Sequence, residues 1–298
     1  MRIAQLSDFH FTQLTWNPLR LFSKRVLGNL NWLFLRQHNF FEGQLESLPT
    51  LFQELSVDWV LLGGDFSTTS LPEEFEKGVQ FVKALKSPWI AIPGNHDRYT
   101  RGSCRDKDFY RFFTNPKRPG SDPVGSFTLK EDRIEAHRLS PEWRLIALDT
   151  CLATNFYSSQ GEFSPQLEAS LEEVLRLIPQ RESILLLNHY PFFQNDIERH
   201  NLIRGEALQR LLERNPRIRL YLHGHTHRHI VADLQISHLP IVLDGGSCAQ
   251  GDRGSWNLID LSEKSCAVST YRWNQKWTQT TTQEFTWTRP TYPGSMTV

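Results

Sequence analysis

The chain has 298 residues, 39% hydrophobic and 22% charged, which suits a folded globular domain and excludes wholesale disorder. Its 33 Lys and Arg balance 33 Asp and Glu to a formal net charge of +0, which argues against a nucleic-acid binder. The four cysteines (Cys104, Cys151, Cys248, Cys266) lack CxxC spacing, and no run approaches the roughly 18 apolar residues of a membrane span, so a reducing, cytoplasmic setting is expected.

In chain order, the apolar run Arg2–Leu6 is the first predicted strand. The segment 11–41 that follows contains no acidic residue, carries Arg20, Lys24, Arg25 and Arg36, and is rich in large apolar groups such as Trp16, Phe22, Trp32 and Phe34. It is longer than a strand-to-helix connection needs. Two readings stay open for it. One is a flap packed on the core; the other is a lid or interfacial helix meeting acyl chains and anionic headgroups at the inner face of a membrane.

Val57–Leu62 is the next predicted strand, and Ser70 with Glu73 forms a capping-box signature that opens a helix. Further strands are expected at Trp89–Ile92, Arg144–Leu148, Ile184–Leu187, Ile218–Leu222 and Ile241–Leu243. Ser164-Pro165 starts a helix with Leu167, Leu171, Val174, Leu175 and Ile178 on one face. Trp256 to Trp273 reads as a hairpin turning at Glu263-Lys264, and the tail 277–298 as at most one edge strand and then fraying. Strands alternating with helices and a β-rich end predict an α/β fold with mixed sheets, taken as one domain over 1–298.

Five of these strands run into polar motifs. They are Asp8-Phe9-His10, Gly64-Asp65, Gly94-Asn95-His96-Asp97, Asn188-His189 and Gly224-His225-Thr226-His227. Ligand sites assemble at the carboxyl ends of strands in α/β sheets, so these side chains are expected to converge. In Asp8-x-His10 and His225-x-His227, period-two alternation would put both groups on one side of an extended segment. Carboxylates, imidazoles and one amide, with no thiolate, suit Mn, Fe or Zn ions. His223 is read as a core or supporting residue and His229 as part of an exit strand. Asp149 and Asp244 are read as turn partners, and His38, His137, His200 and His238 as surface histidines.

Together the motifs resemble the calcineurin-like metallophosphoesterase family (DxH, GD, GNHD, H, GHxH). The soft match around Asp149-Thr150 leans toward bacterial class III cyclic-nucleotide phosphodiesterases. The resemblance implies a β-sandwich of two mixed sheets flanked by helices (α/β/β/α) and two divalent ions. Asp8, His10, Asp65 and His227 would hold one ion, and Asp65, Asn95, His189 and His225 the other. It further implies hydrolysis of a small phosphodiester or phosphomonoester by a metal-activated hydroxide, with His96 as general acid and Asp97 orienting His96. A lipid-linked nucleotide-sugar pyrophosphatase and a non-catalytic scaffold are the competing expectations. The run Asn188-His189-Tyr190-Pro191-Phe192 departs from relatives that carry a second His before the ligand and a second Pro after it.

Overall fold

The computed structural model describes residues 1–13, 42–115, 124, 127–153 and 158–288. The apolar and basic stretch read as flap or lid lies, from residue 14 to 41, outside the described residues, and so does the membrane reading that rests on it. The last ten residues of the tail lie outside as well. Among the described residues no helix is long and apolar enough to cross a membrane.

Among the described residues, the strands form two six-stranded mixed sheets and a two-stranded ribbon. The first sheet centres on β1 (Arg2–Leu6), which lies parallel to β2 (Trp59–Leu62), itself parallel to β3 (Trp89–Ala91). On the other side of β1 come β12 (Ser255–Leu261), β13 (Ser265–Asn274) and β14 (Lys276–Thr286), each antiparallel to its neighbour. The second sheet holds parallel β5 (Trp143–Leu148), β7 (Ser183–Leu187), β9 (Ile218–His223) and β11 (Ile241–Gly245). It is edged by antiparallel β4 (Ile134–Arg138) and β10 (His229–Asp233). The ribbon pairs β6 (Gly161–Glu162) with β8 (Leu202–Ile203).

Side-chain alternation explains the layering. Leu145, Leu185, Leu187, Leu220, Leu222 and Leu243 join one core with Ile3, Ala4 and Val60 of the first sheet. Their strand neighbours Ile146, Ile184, Leu186, Tyr221 and Val242 point the other way into a second core. That second core is covered by α3 (Pro165–Leu177) and α4 (Gly205–Arg214). The outer face of the first sheet is covered by α1 (Leu48–Glu54) and α2 (Pro72–Ala84), through Leu48, Phe52, Phe75 and Val82. The result is the helix–sheet–sheet–helix stack that the motifs implied.

Two local expectations need correction. The cap of α2 is shifted by one residue, to Leu71 with Glu74, because Pro72 takes the first helical position. The Glu74 carboxylate accepts from the Leu71 N–H at 3.1 Å, while the Ser70 hydroxyl donates to the His96 carbonyl at 2.7 Å. His137 is buried beside Glu135 rather than on the surface.

Candidate metal centre

The seven candidate donors lie where strands of the two sheets end. Asp8 and His10 follow β1, Asp65 follows β2 and Asn95 follows β3, all on the first sheet. His189 follows β7, and His225 and His227 follow β9, on the second. The paired motifs do not stay extended. Asp8 (φ 58°), His10 (φ 48°), Asp65 (φ 56°), His225 (φ 69°) and His227 (φ 54°) all occupy the left-handed region. Non-glycine residues there cost of order 1–3 kcal/mol each, and such strain gathers at functional sites. Tight left-handed turns, not strand alternation, bring Asp8 to His10 and His225 to His227.

The two carboxylates are built alike. Asp8 Oδ2 accepts the His225 N–H at 3.0 Å, and Asp65 Oδ1 accepts the His96 N–H at 2.8 Å. One oxygen of each is thereby anchored to backbone, and the other is turned inward. Asp8 Oδ1 lies 3.2 Å from His227 Nε2 and 3.8 Å from His10 Nε2. It is buried and accepts no hydrogen bond among the described residues. Asp65 Oδ2 lies 3.8 Å from His10 Nε2 and 3.6 Å from His189 Nε2, between the two groups of donors. Glycine is required beside both. A Cβ on Gly94 would sit 2.1 Å from Asp65 Oδ1, and one on Gly224 would sit 2.5 Å from Asp8 Oδ2.

The imidazoles are fixed by carbonyls, which can only accept. His189 Nδ1 lies 2.8 Å from the Gly63 carbonyl and so carries the proton, leaving the Nε2 lone pair 3.1 Å from Asn95 Oδ1. His225 Nε2 donates to the His200 carbonyl at 2.9 Å, leaving the Nδ1 lone pair 2.9 Å from the same Asn95 oxygen. Burial lowers the pKa of His189 and, with the neighbouring His189 ring, takes His225 down to about 3, so both rings are neutral at ordinary pH. Burial alone would raise the Asp8 carboxyl, yet the facing His227 ring holds it well below the usual carboxylate range.

Lone pairs that face each other at such distances repel unless a cation lies between them. The donor atoms of Asp8, His10, Asp65 and His227 also all fall within 4.8 Å of one another, with His10 Nε2 and His227 Nε2 hydrogen-bonded at 2.9 Å. The group of Asp8, His10, Asp65 and His227, all nitrogen and oxygen, fits a divalent metal ion, and Asn95, His189 and His225 adjoin it.

His96 stands beside this centre. Its ring meets the His10 ring edge-on with centroids 4.9 Å apart, and Tyr99 stacks on it at 5.5 Å. Asp97 does not orient that ring. Its buried carboxylate accepts the backbone N–H groups of Phe66 (3.1 Å), Ser67 (2.8 Å) and Gly94 (2.9 Å), and burial pushes it up to about 6. His96 Nδ1 instead pairs with the Thr68 carbonyl at 2.7 Å. Asp97 therefore shapes the turn that presents that carbonyl.

The sequence reading missed several contributors. The carbonyls of Gly63, Thr68 and His200 have no signature in side-chain identity. His200, read as a surface residue, borders the cleft and orients His225 through its backbone. Asp149 is more than a turn partner. It is fully buried, forms ion pairs with Arg98 and, at 3.5 Å, with Arg133, and accepts the Tyr110 hydroxyl at 2.7 Å. Arg98, two residues past His96, was the available signal. His223 is fully buried with Nδ1 3.0 Å from the Gly224 carbonyl, and His229 opens β10, both as read.

Asp65, Asn95, His225 and His227 line a cleft of about 550 Å³, bordered also by His96, Tyr99, Asn195, Asp196, Arg199 and Arg228 among others.

Comparison with known proteins gives a consistent result. The calcineurin-like phosphoesterase family matches the chain over residues 1–229. The chain is 25% identical over 224 residues to the 3',5'-cyclic adenosine monophosphate phosphodiesterase CpdA of Vibrio vulnificus, covering 70% of this chain and 72% of that protein. It is 27% identical over 218 residues to the glycerophosphodiester phosphodiesterase GpdQ of Enterobacter lignolyticus, covering 71% of each. In fold it superposes on a dimetal phosphatase from Danio rerio with a TM-score of 0.65, at 13% identity, over 96% of this chain and 99% of that one. With the match spanning both strand-end motif sets, the chain belongs to the calcineurin-like phosphoesterase family.

Proposed function

We propose that this phosphoesterase hydrolyses small phosphodiesters at a two-ion centre in which Asp65 is shared. The observation that carries the reading is the convergence of lone pairs from Asp65, Asn95, His189 and His225 beside the group formed by Asp8, His10, Asp65 and His227. Relatives named as cyclic-nucleotide and glycerophosphodiester phosphodiesterases support a diester over a monoester. Divalent ions such as Mn, Fe or Zn, when bound, supply Lewis acidity at the phosphoryl oxygens and activate a water near neutral pH.

The chain's own residues set the rest. Asp8 and Asp65 each spend one oxygen on a backbone N–H, so the other is held at one angle without help from solvent. The Gly63 and His200 carbonyls fix the tautomers of His189 and His225, which keeps their ligand nitrogens unprotonated. Thr68 accepts from His96 Nδ1, which leaves Nε2 of this cleft-lining ring for proton transfer to the departing alkoxide. Tyr99, stacked on His96, limits the rotation of that ring. A non-catalytic scaffold has no use for a proton donor held in this way.

The test is hydrolysis of bis-p-nitrophenyl phosphate by protein stripped of metal and then reloaded with Mn, Fe or Zn. Turnover that returns with metal supports the reading. A reloaded, folded protein with no turnover on this ester, cyclic nucleotides or glycerophosphodiesters would sink it.

A further inference from the structure

Beyond the donors, the cleft has a cationic wall that the hydrolytic reading does not use. Arg199 and Arg228 are both exposed and both border the cavity into which Asn95 and His96 open. Their backbones are held firmly. The Arg199 carbonyl accepts from the Ser159 N–H at 3.0 Å and the Ser158 hydroxyl at 3.2 Å, and the Arg228 N–H donates to the Thr226 hydroxyl at 3.1 Å. The acid on the same wall, Asp196, is already engaged. It accepts the Ile197 N–H at 2.7 Å and faces His200 Nδ1 at 3.2 Å, and Arg228 acts on it only through space. Other arginines are tied into ion pairs, as Arg98 is with Asp149 and Arg204 with Glu168. Among the described residues, the two cleft arginines form no such pair.

Asp8 and Asp65 bring −2, a metal-activated hydroxide −1, and two divalent ions about +4, leaving about +1 at the reacting phosphoryl. A diester carries a single negative charge there and is already neutralised. Two further guanidinium groups on the wall are surplus to that phosphoryl. They suit an additional anion, which a planar guanidinium recognises through paired N–H donors.

We propose that Arg199 and Arg228 form a second anion subsite, which takes a phosphate carried by the substrate outside the bond that is cleaved. The inference rests on the diesterase reading of the metal centre. The preferred substrates are then diesters that carry a further phosphate, rather than neutral or cationic diesters.

Three glycerophosphodiesters share the same reacting group and differ in the charge carried elsewhere: glycerophosphocholine, glycerophosphoglycerol and glycerophosphoinositol 4-phosphate. With the full chain loaded with Mn, KM for the phosphate-bearing ester is expected to be at least about tenfold below that for the choline ester. The gap should narrow as salt is raised. In the double variant Arg199→Gln, Arg228→Gln, the three KM values are expected to converge to within about threefold, the loss falling on KM rather than kcat. Circular dichroism confirms that the variant is folded. Equal KM values in the unsubstituted protein, or a ranking that survives in the variant, would overturn the subsite. Calorimetric titration of the same compounds into the loaded protein separates the two ideas. If none is hydrolysed, the diesterase reading fails, and the ranking of Kd still decides the subsite: a preference for the phosphate-bearing compound that the double variant abolishes upholds it, and equal Kd values overturn it.

Discussion

The Asp65 carboxylate accepts the backbone N–H of His96 at 2.8 Å, so the proposed shared metal donor and the proposed proton donor are tied by one hydrogen bond. Asp65→Asn can keep that bond through its amide oxygen, but it turns an NH2 group toward His10 and His189, where lone pairs are needed. Bound metal and turnover are expected to fall together while the circular dichroism spectrum is unchanged. Elemental analysis of the purified variant is the check, and unchanged metal content would refute the shared role.

His96→Ala is expected to keep its metal and lose turnover by about 10²–10⁴-fold, the usual range for a missing general acid. The loss should be larger for a glycerophosphodiester than for a nitrophenyl ester, since a poor leaving alkoxide depends more on protonation. Equal losses on the two substrates would remove His96 from that role.

Gly94→Ala is expected to damage the centre without replacing a donor. The added Cβ falls 2.1 Å from Asp65 Oδ1 and 2.4 Å from the Asp65 backbone nitrogen, so the carboxylate must move. A stability cost of about 1–3 kcal/mol is expected from the overpacking, with weakened metal binding. Gly102→Ala is the control, because its nearest neighbour would be the Thr100 hydroxyl at 3.8 Å. Calorimetric metal titration of both variants tells them apart.

Asp149→Ala leaves Arg98 buried without its carboxylate. Removing one partner of a buried pair typically costs about 3–5 kcal/mol, and Arg98 and Asp149 are both buried. The midpoint of urea unfolding should shift accordingly, and Asp149→Asn, which keeps an acceptor for Tyr110, should cost less. Equal midpoints for Asp149→Ala and the unsubstituted protein would contradict the clamp.

Glu74 gives a pH signature. Burial pushes its carboxyl from the ordinary 4.5 up to about 7, despite hydrogen bonds from the Leu71 and Thr69 N–H groups. Between those values the folded protein holds a proton that the unfolded chain has lost, so stability falls as pH rises through the window and levels off above it. The contribution is of order 3 kcal/mol. Other buried acids, such as Asp97, shift the same way, so the difference between the unsubstituted protein and Glu74→Gln isolates this group. Unfolding curves from about pH 4 to 8 are expected to show a shallower decline in the variant. Parallel declines would show that Glu74 is ionised when folded.

Sequence pattern located the strands well, because parallel strands buried on both faces read as unbroken apolar runs; Arg2–Leu6 coincides with β1 from end to end. The positions of Asp8, Asp65, Asn95, His189 and His225 at strand ends were legible for the same reason. What the pattern could not show was how the chain turns just past those ends. Five candidate donors take left-handed conformations that side-chain identity disfavours, and they persist because the surrounding contacts force them. Nor could it show the backbone partners. Asp97 next to His96 invites a carboxylate–imidazole pair, but three N–H groups claim that carboxylate and a carbonyl takes its place.

Neither sheet carries a complete donor set. The first supplies Asp8, His10, Asp65 and Asn95, and the second supplies His189, His225 and His227. If these residues hold the ions as proposed, ion binding and the docking of one sheet on the other form a single linked equilibrium. An ion that binds only the docked form stabilises that form by mass action, growing with the logarithm of its free concentration over its dissociation constant. Metal held by these residues would thus serve as a rivet across the sandwich. A chelator would remove cohesion between the layers as well as the catalyst.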